Sequence, residues 1–121
     1  MPFDSPLELR HRPGHYRWEL ISALTYTTLD GRAILMPAGA LTDLGSIPRF
    51  ARPVVDAQRP TTRRPSAIHD YIYTHLTHRF TKQEADRIFY EALLEEDTGK
   101  SLAWMMWQAV RVGGRGAWRQ A

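Results

Sequence analysis

The chain is expected to fold as a single α+β domain: an N-terminal antiparallel β-hairpin and a structured loop, followed by three α-helices built around a helical hairpin. Three observations carry this expectation. A run of β-branched and aromatic residues over 15–36 is split by Asp30-Gly31, a dipeptide suited to a tight hairpin turn. Apolar spacing turns helical after Pro65. Thr81-Lys82-Gln83-Glu84 then spells a capping box ahead of an apolar face. At 121 residues the chain is too short for two independent cores, so 1–121 reads as one domain.

Taken in order, residues 15–36 predict two antiparallel strands, with Asp30-Gly31 supplying positive φ angles at the turn. Pro37 and Gly39 stop the second strand. Residues 41–50, LTDLGSIPRF, carry Gly and Pro punctuation without a sustained period and read as a structured loop. Residues 51–65 have little apolar periodicity and read as an exposed connector, giving a loop and connector over 41–65. Ser66 is placed as an N-cap, with a first helix from Ala67 to about Leu76. The capping box opens a second helix with Ala85, Ile88, Phe89, Ala92 and Leu93 on its apolar face, ended by Asp97-Thr98-Gly99. A third helix covers 101–112, with Leu102, Met105, Met106, Ala109 and Val110 turned inward and Gly113-Gly114 as its stop. The helical part is thus 66–112, and 113–121 is a basic tail carrying Trp118.

Composition removes several function classes. With 43% hydrophobic residues and four Trp, five Tyr and four Phe, global disorder is excluded. The absence of cysteine excludes disulfides, thiolate zinc sites and thiol catalysis, and leaves the compartment open. No transmembrane segment is expected, because no apolar run approaches about 18 residues. The first thirteen residues lack the apolar stretch of a signal peptide. The net charge is +3, and the basic residues are fourteen Arg and two Lys. Arginine suits planar oxyanion partners, although genomic base composition favours it as well. Arg59, Arg63, Arg64, Arg115 and Arg119 come with no nucleic-acid recognition motif, so nucleic acid is not an expected partner.

The residues with chemical potential lie on the first two helices. His69 and Tyr73 are four apart and share a face with Ile72 and Leu76, and Asp70 follows the histidine. Asp86 falls at the border of the second helix's apolar face, where a carboxylate is costly without a partner. Packing the helices antiparallel across the short HRF connector lets Asp86 accept a hydrogen bond from His69 or from Tyr73. Two readings stand side by side: a His–Asp dyad able to activate water, and a buried latch in which Asp86 grips the first helix or Arg79. Upstream, Asp43 with Thr42 and Ser46 fits an Asx-type turn or a substrate loop, and Arg49 after Pro48 fits a carboxylate clamp. His75 and His78 have no third ligand type beside them. Trp104 and Trp107, with Met105 and Met106, read as core or interface, and exposure of both tryptophans would point to a partner-binding face.

The run TDLGSIPRF, then AIHDYIY, then ADRIFYEAL, then a Trp-rich helix with AVRVGG and Trp118, resembles domain of unknown function family 1353, found mainly in phages and prophages. The resemblance implies a phage or prophage accessory protein, associated with the virion or the tail, or acting near lysis. Its expected location is then the bacterial host cytoplasm or the virion, and its expected partners are other phage structural proteins or a cell-envelope substrate. A more local resemblance concerns chemistry. His-Asp-x-x-Tyr on one helix and Ala-Asp-Arg on the next is similar to the paired helices of phospholipases of the A2 type. That similarity implies His69 as general base, Asp86 as the group orienting its ring, Tyr73 as support for Asp86, and Asp70 as a calcium ligand. Those enzymes carry a glycine-rich calcium loop shortly before the histidine, whereas Gly45 lies 24 residues upstream of His69. The implied activity is hydrolysis of an ester or amide in the cell envelope. The competing expectation is a non-catalytic structural or assembly component of the phage particle, and the oligomeric state stays open.

Overall fold

A computed structural model describes residues 3, 4, 6–11, 18–42 and 60–113. Among these residues five short strands precede three helices: β1 (Leu9–His11), β2 (Trp18–Leu20), β3 (Leu24–Thr27), β4 (Ala33–Met36), β5 (Leu41–Thr42), α1 (Pro60–His75), α2 (Lys82–Glu95) and α3 (Lys100–Gly113). The α+β class is as expected, and the strand arrangement is richer than one hairpin. β3 and β4 form the hairpin, while β2 pairs with β1 and β5 in a separate three-stranded antiparallel sheet. The β-branched and aromatic run over 15–36, read as two strands, holds three among the described residues, β2, β3 and β4, and it carries no information about which strand pairs with which.

The hairpin turn differs in detail from the expected one. Only Gly31 takes a positive φ, of 91°, and the Gly31 amide bonds the Thr28 carbonyl at 2.9 Å while the Thr28 amide bonds the Arg32 carbonyl at 2.8 Å. This three-residue loop needs one left-handed residue, so Asp30 stays at negative φ and accepts from the Thr28 hydroxyl and the Arg32 guanidinium.

The helical part begins earlier than residue 66. α1 starts at Pro60 and runs through Pro65, so Ser66 is an interior residue and not an N-cap, and residues 60–65 are not connector. Pro60 is well placed at the first helical position, whereas Pro65 has no N–H to give the preceding turn. The tertiary contacts of the first turns offset that loss. Pro65, Ser66, Ala67 and Ile68 are buried, and Arg64 grips Glu96 with contacts of 2.5 and 3.3 Å while lying over the Phe3 ring. Arg64 is therefore committed to an internal ion pair. The expected loop survives in the described residues only as β5 at its first two positions; the rest of 41–59 lies outside them, as does the basic tail from 114 with Trp118.

α2 forms as its sequence dictates. The Glu84 amide bonds Thr81 Oγ1 at 3.1 Å, and the Thr81 amide bonds Glu84 Oε1 at 2.9 Å, completing the capping box. At the other end Asp97 sits at φ 60°, and the Asp97 and Thr98 amides reach back to the Leu94 and Leu93 carbonyls, closing the helix by a Schellman arrangement. The five residues expected on its apolar face are all buried but face two ways. Ala85, Ile88 and Ala92 join a core made with α1 and both sheets, including Leu20, Leu24, Tyr26, Ile34 and Ile68. Phe89 and Leu93 join a second core with Ala103, Met106, Ala109 and Val110 of α3. Met105, expected inside, is 40% exposed, and Ala103 takes the inner position instead. The hairpin is tied to α2 by polar contacts: Tyr26 donates to Glu91, and Arg32 pairs with Glu84 at 3.0 Å. Burial, followed by the Glu91 carboxylate, pushes the Tyr26 hydroxyl well above its ordinary pKa.

Candidate functional site

The antiparallel packing of α1 on α2 brings His69, Tyr73 and Asp86 together in the protein interior. His69 Nε2 lies 2.9 Å from Asp86 Oδ1, and the Tyr73 hydroxyl donates to the same oxygen at 2.5 Å. Sequence reasoning offered one donor or the other; both are used. The imidazole is flanked by Tyr73 and Phe89, with ring centroids 4.3 and 4.8 Å away. Its side chain retains 11% exposure against 2% for Asp86. Since Nε2 is taken by the carboxylate, Nδ1 is the ring nitrogen left to exchange a proton.

The second carboxylate oxygen has a partner that sequence reasoning missed. Lys82 Nζ contacts Asp86 Oδ2 at 2.6 Å and also donates to the Val110 and Arg111 carbonyls at 3.3 and 3.0 Å. One ammonium therefore joins the buried acid of α2 to the last turn of α3, where unpaired carbonyls favour a cation. The i, i+4 spacing of Lys82 and Asp86 was a usable signal for the first contact; the contact with α3 had none. Arg79, the alternative grip on Asp86, instead lies over the Phe80 ring.

Burial acts on Asp86 to raise its pKa, but the hydrogen bonds from His69, Lys82 and Tyr73 outweigh it and hold the carboxyl below the ordinary range. Tyr73 is pushed up, first by burial and then by the adjacent carboxylate. An ionised acid, a neutral phenol and an imidazole oriented through one nitrogen form a set able to accept a proton at His69 Nδ1 and to stabilise the resulting cation.

Asp70 follows on α1 and is half-buried. Among the described residues no group of three or more histidine or acidic side chains could hold a metal ion. Asp43 and Arg49 lie outside the described residues. Trp104 is 53% exposed, while Trp107 is half-buried and stacks on Tyr90 at 4.7 Å, so the two tryptophans do not share one exposed face. No helix among the described residues is long and apolar enough to cross a membrane.

A groove of about 670 Å³ opens between α2 and α3, lined by Lys82, Glu84, Asp86, Arg87, Trp107 and Arg111 among others. Lys82 and Asp86 both line it, and His69 does not.

No curated protein and no solved structure matches the chain. A family model described as "Protein of unknown function (DUF1353)" matches residues 18–110, a span that holds β2 through most of α3 and includes His69, Tyr73, Lys82 and Asp86. The chain belongs to this DUF1353 family.

Proposed function

We propose that the protein is a small hydrolase in which His69 acts as general base, oriented by Asp86 and supported by Tyr73. The observation that carries the proposal is the 2.9 Å contact between His69 Nε2 and a carboxylate oxygen also held by Tyr73. Such a contact fixes the tautomer and the ring plane, leaving Nδ1 to take a proton from water. The water oxygen then bonds to the acyl carbon of an ester or amide, the bond to the leaving group breaks, and the imidazolium returns its proton to that group. The substrate class in this proposal is a cell-envelope ester or amide, and the setting is that of a phage or prophage accessory protein, both resting on the sequence resemblances.

A second reading is favoured by a specific observation: the imidazole is largely enclosed and stands apart from the α2–α3 groove. On that reading the cluster is a latch in a structural or assembly component of a phage particle. One substitution separates the two. For the hydrolase, His69→Gln keeps its melting temperature within a few degrees and loses turnover of ester and phospholipid substrates. For the latch, no wild-type turnover is found, and the variant loses roughly 1–3 kcal/mol of stability.

A further inference from the structure

The α2–α3 groove carries two guanidinium groups without an acidic partner among the described residues. Its acids are already engaged: Glu84 with Arg32 at 3.0 Å, and Asp86 with Lys82 at 2.6 Å. Arg87 and Arg111 line the groove from α2 and α3 respectively, and neither is ion-paired with a carboxylate among the described residues. Arg111 is held in place: its guanidinium lies 5.0 Å from the Trp107 ring centroid, and its Nη1 donates to Gln108 Oε1 at 3.1 Å. The Trp107 ring is braced in turn by stacking on Tyr90. An arginine fixed in this way loses little side-chain freedom when it meets a ligand. Beside the cations the groove presents Trp107 and the exposed Val112, and its volume suits a small molecule.

We propose that this groove binds an oxyanion, a phosphate or carboxylate group, carried on a flat apolar body, with Arg87 and Arg111 gripping the anion and Trp107 and Val112 contacting the apolar part. Guanidinium forks match planar oxyanions in two-point contacts, and the aromatic wall accounts for the preference for an apolar carrier. Neither arginine side chain is bonded to His69, Tyr73 or Asp86 among the described residues, so the arginine variants read this groove apart from the role assigned to His69, although Lys82 and Asp86 border both.

The test is isothermal titration calorimetry on the full chain with inorganic phosphate, phenyl phosphate and benzoate at matched ionic strength. Phenyl phosphate or benzoate is expected to bind one per chain and more tightly than inorganic phosphate, and the tighter of the two identifies the head group. Arg87→Gln with Arg111→Gln is expected to weaken that binding at least tenfold, while Arg79→Gln, outside the groove, leaves it unchanged. Circular dichroism checks that both variants are folded, and each single arginine variant is read alongside. The proposal is overturned if the double variant binds as the wild type does, if Arg79→Gln weakens binding equally, or if no aromatic anion binds with a Kd below about 10 mM. Aromatic anions binding no better than phosphate would overturn the part assigned to Trp107 and Val112.

Discussion

The two sides of α2 solve opposite problems with the same acid. Towards α1, Asp86 Oδ1 is enclosed by His69 and Tyr73 beneath the main core, where each donor removes some of the penalty of burying charge. Towards α3, Oδ2 meets an ammonium that is 20% exposed and borders an open groove. The first side is specified by packing, whereas the second is more exposed and opens on the groove. A single buried carboxylate thus connects three helices, with its tight side where chemistry or a latch would reside and its loose side where a ligand can enter.

The largest expected effect comes from removing the shared acid. Asp86→Ala leaves buried donors without an acceptor and should cost about 3–5 kcal/mol in urea unfolding, and a loss under about 1 kcal/mol would show that the cluster is not stabilising. The same group governs acid behaviour. Its folded pKa is lowered, so the unfolded chain takes up the proton first, near pH 4, while the folded chain keeps the carboxylate ionised to lower pH. The stability due to Asp86 is therefore intact above about pH 4 and is lost as pH falls through the folded pKa. Asp86→Asn should flatten this acid limb in a series of urea titrations.

Next in size is Tyr73→Phe, which deletes one donor to a charged, enclosed oxygen and should cost about 1.5–3 kcal/mol. Lys82→Met probes the other side and should cost about 1 kcal/mol, below the usual range for a charged hydrogen bond because water can partly replace the contact. If chemical denaturation reverses this order, the groove side is the better specified of the two. The smallest effect belongs to the exposed Arg32–Glu84 pair, whose coupling in a double-mutant cycle should fall below about 1 kcal/mol.

Much of this was legible in the sequence where the signal is local. The Thr81–Glu84 box and the apolar spacing behind it announce α2, and the four-residue spacing of His69 and Tyr73 puts both on the face that meets Asp86. Local rules start the first helix after Pro65, a breaker, whereas burial together with the Arg64–Glu96 pair carries the helix through it. Met105 was placed inside because two adjacent methionines cannot be ranked by period alone, and the structure turns Ala103 inward where α3 meets Phe89 and Leu93. Nothing near Lys82 in sequence foretells its carbonyl partners.

By itself the sequence determined the α+β class, the course of α2 and the faces that set an acid on it against a ring on the helix before, since caps, turns and periodicity act within a few residues. Only the tertiary structure decided how the strands divide between two sheets, how α1 passes through Pro65, and that Lys82 joins Asp86 to carbonyls 28 and 29 positions away. These outcomes depend on contacts between distant segments, whose energies exist only once the cores have brought those segments together.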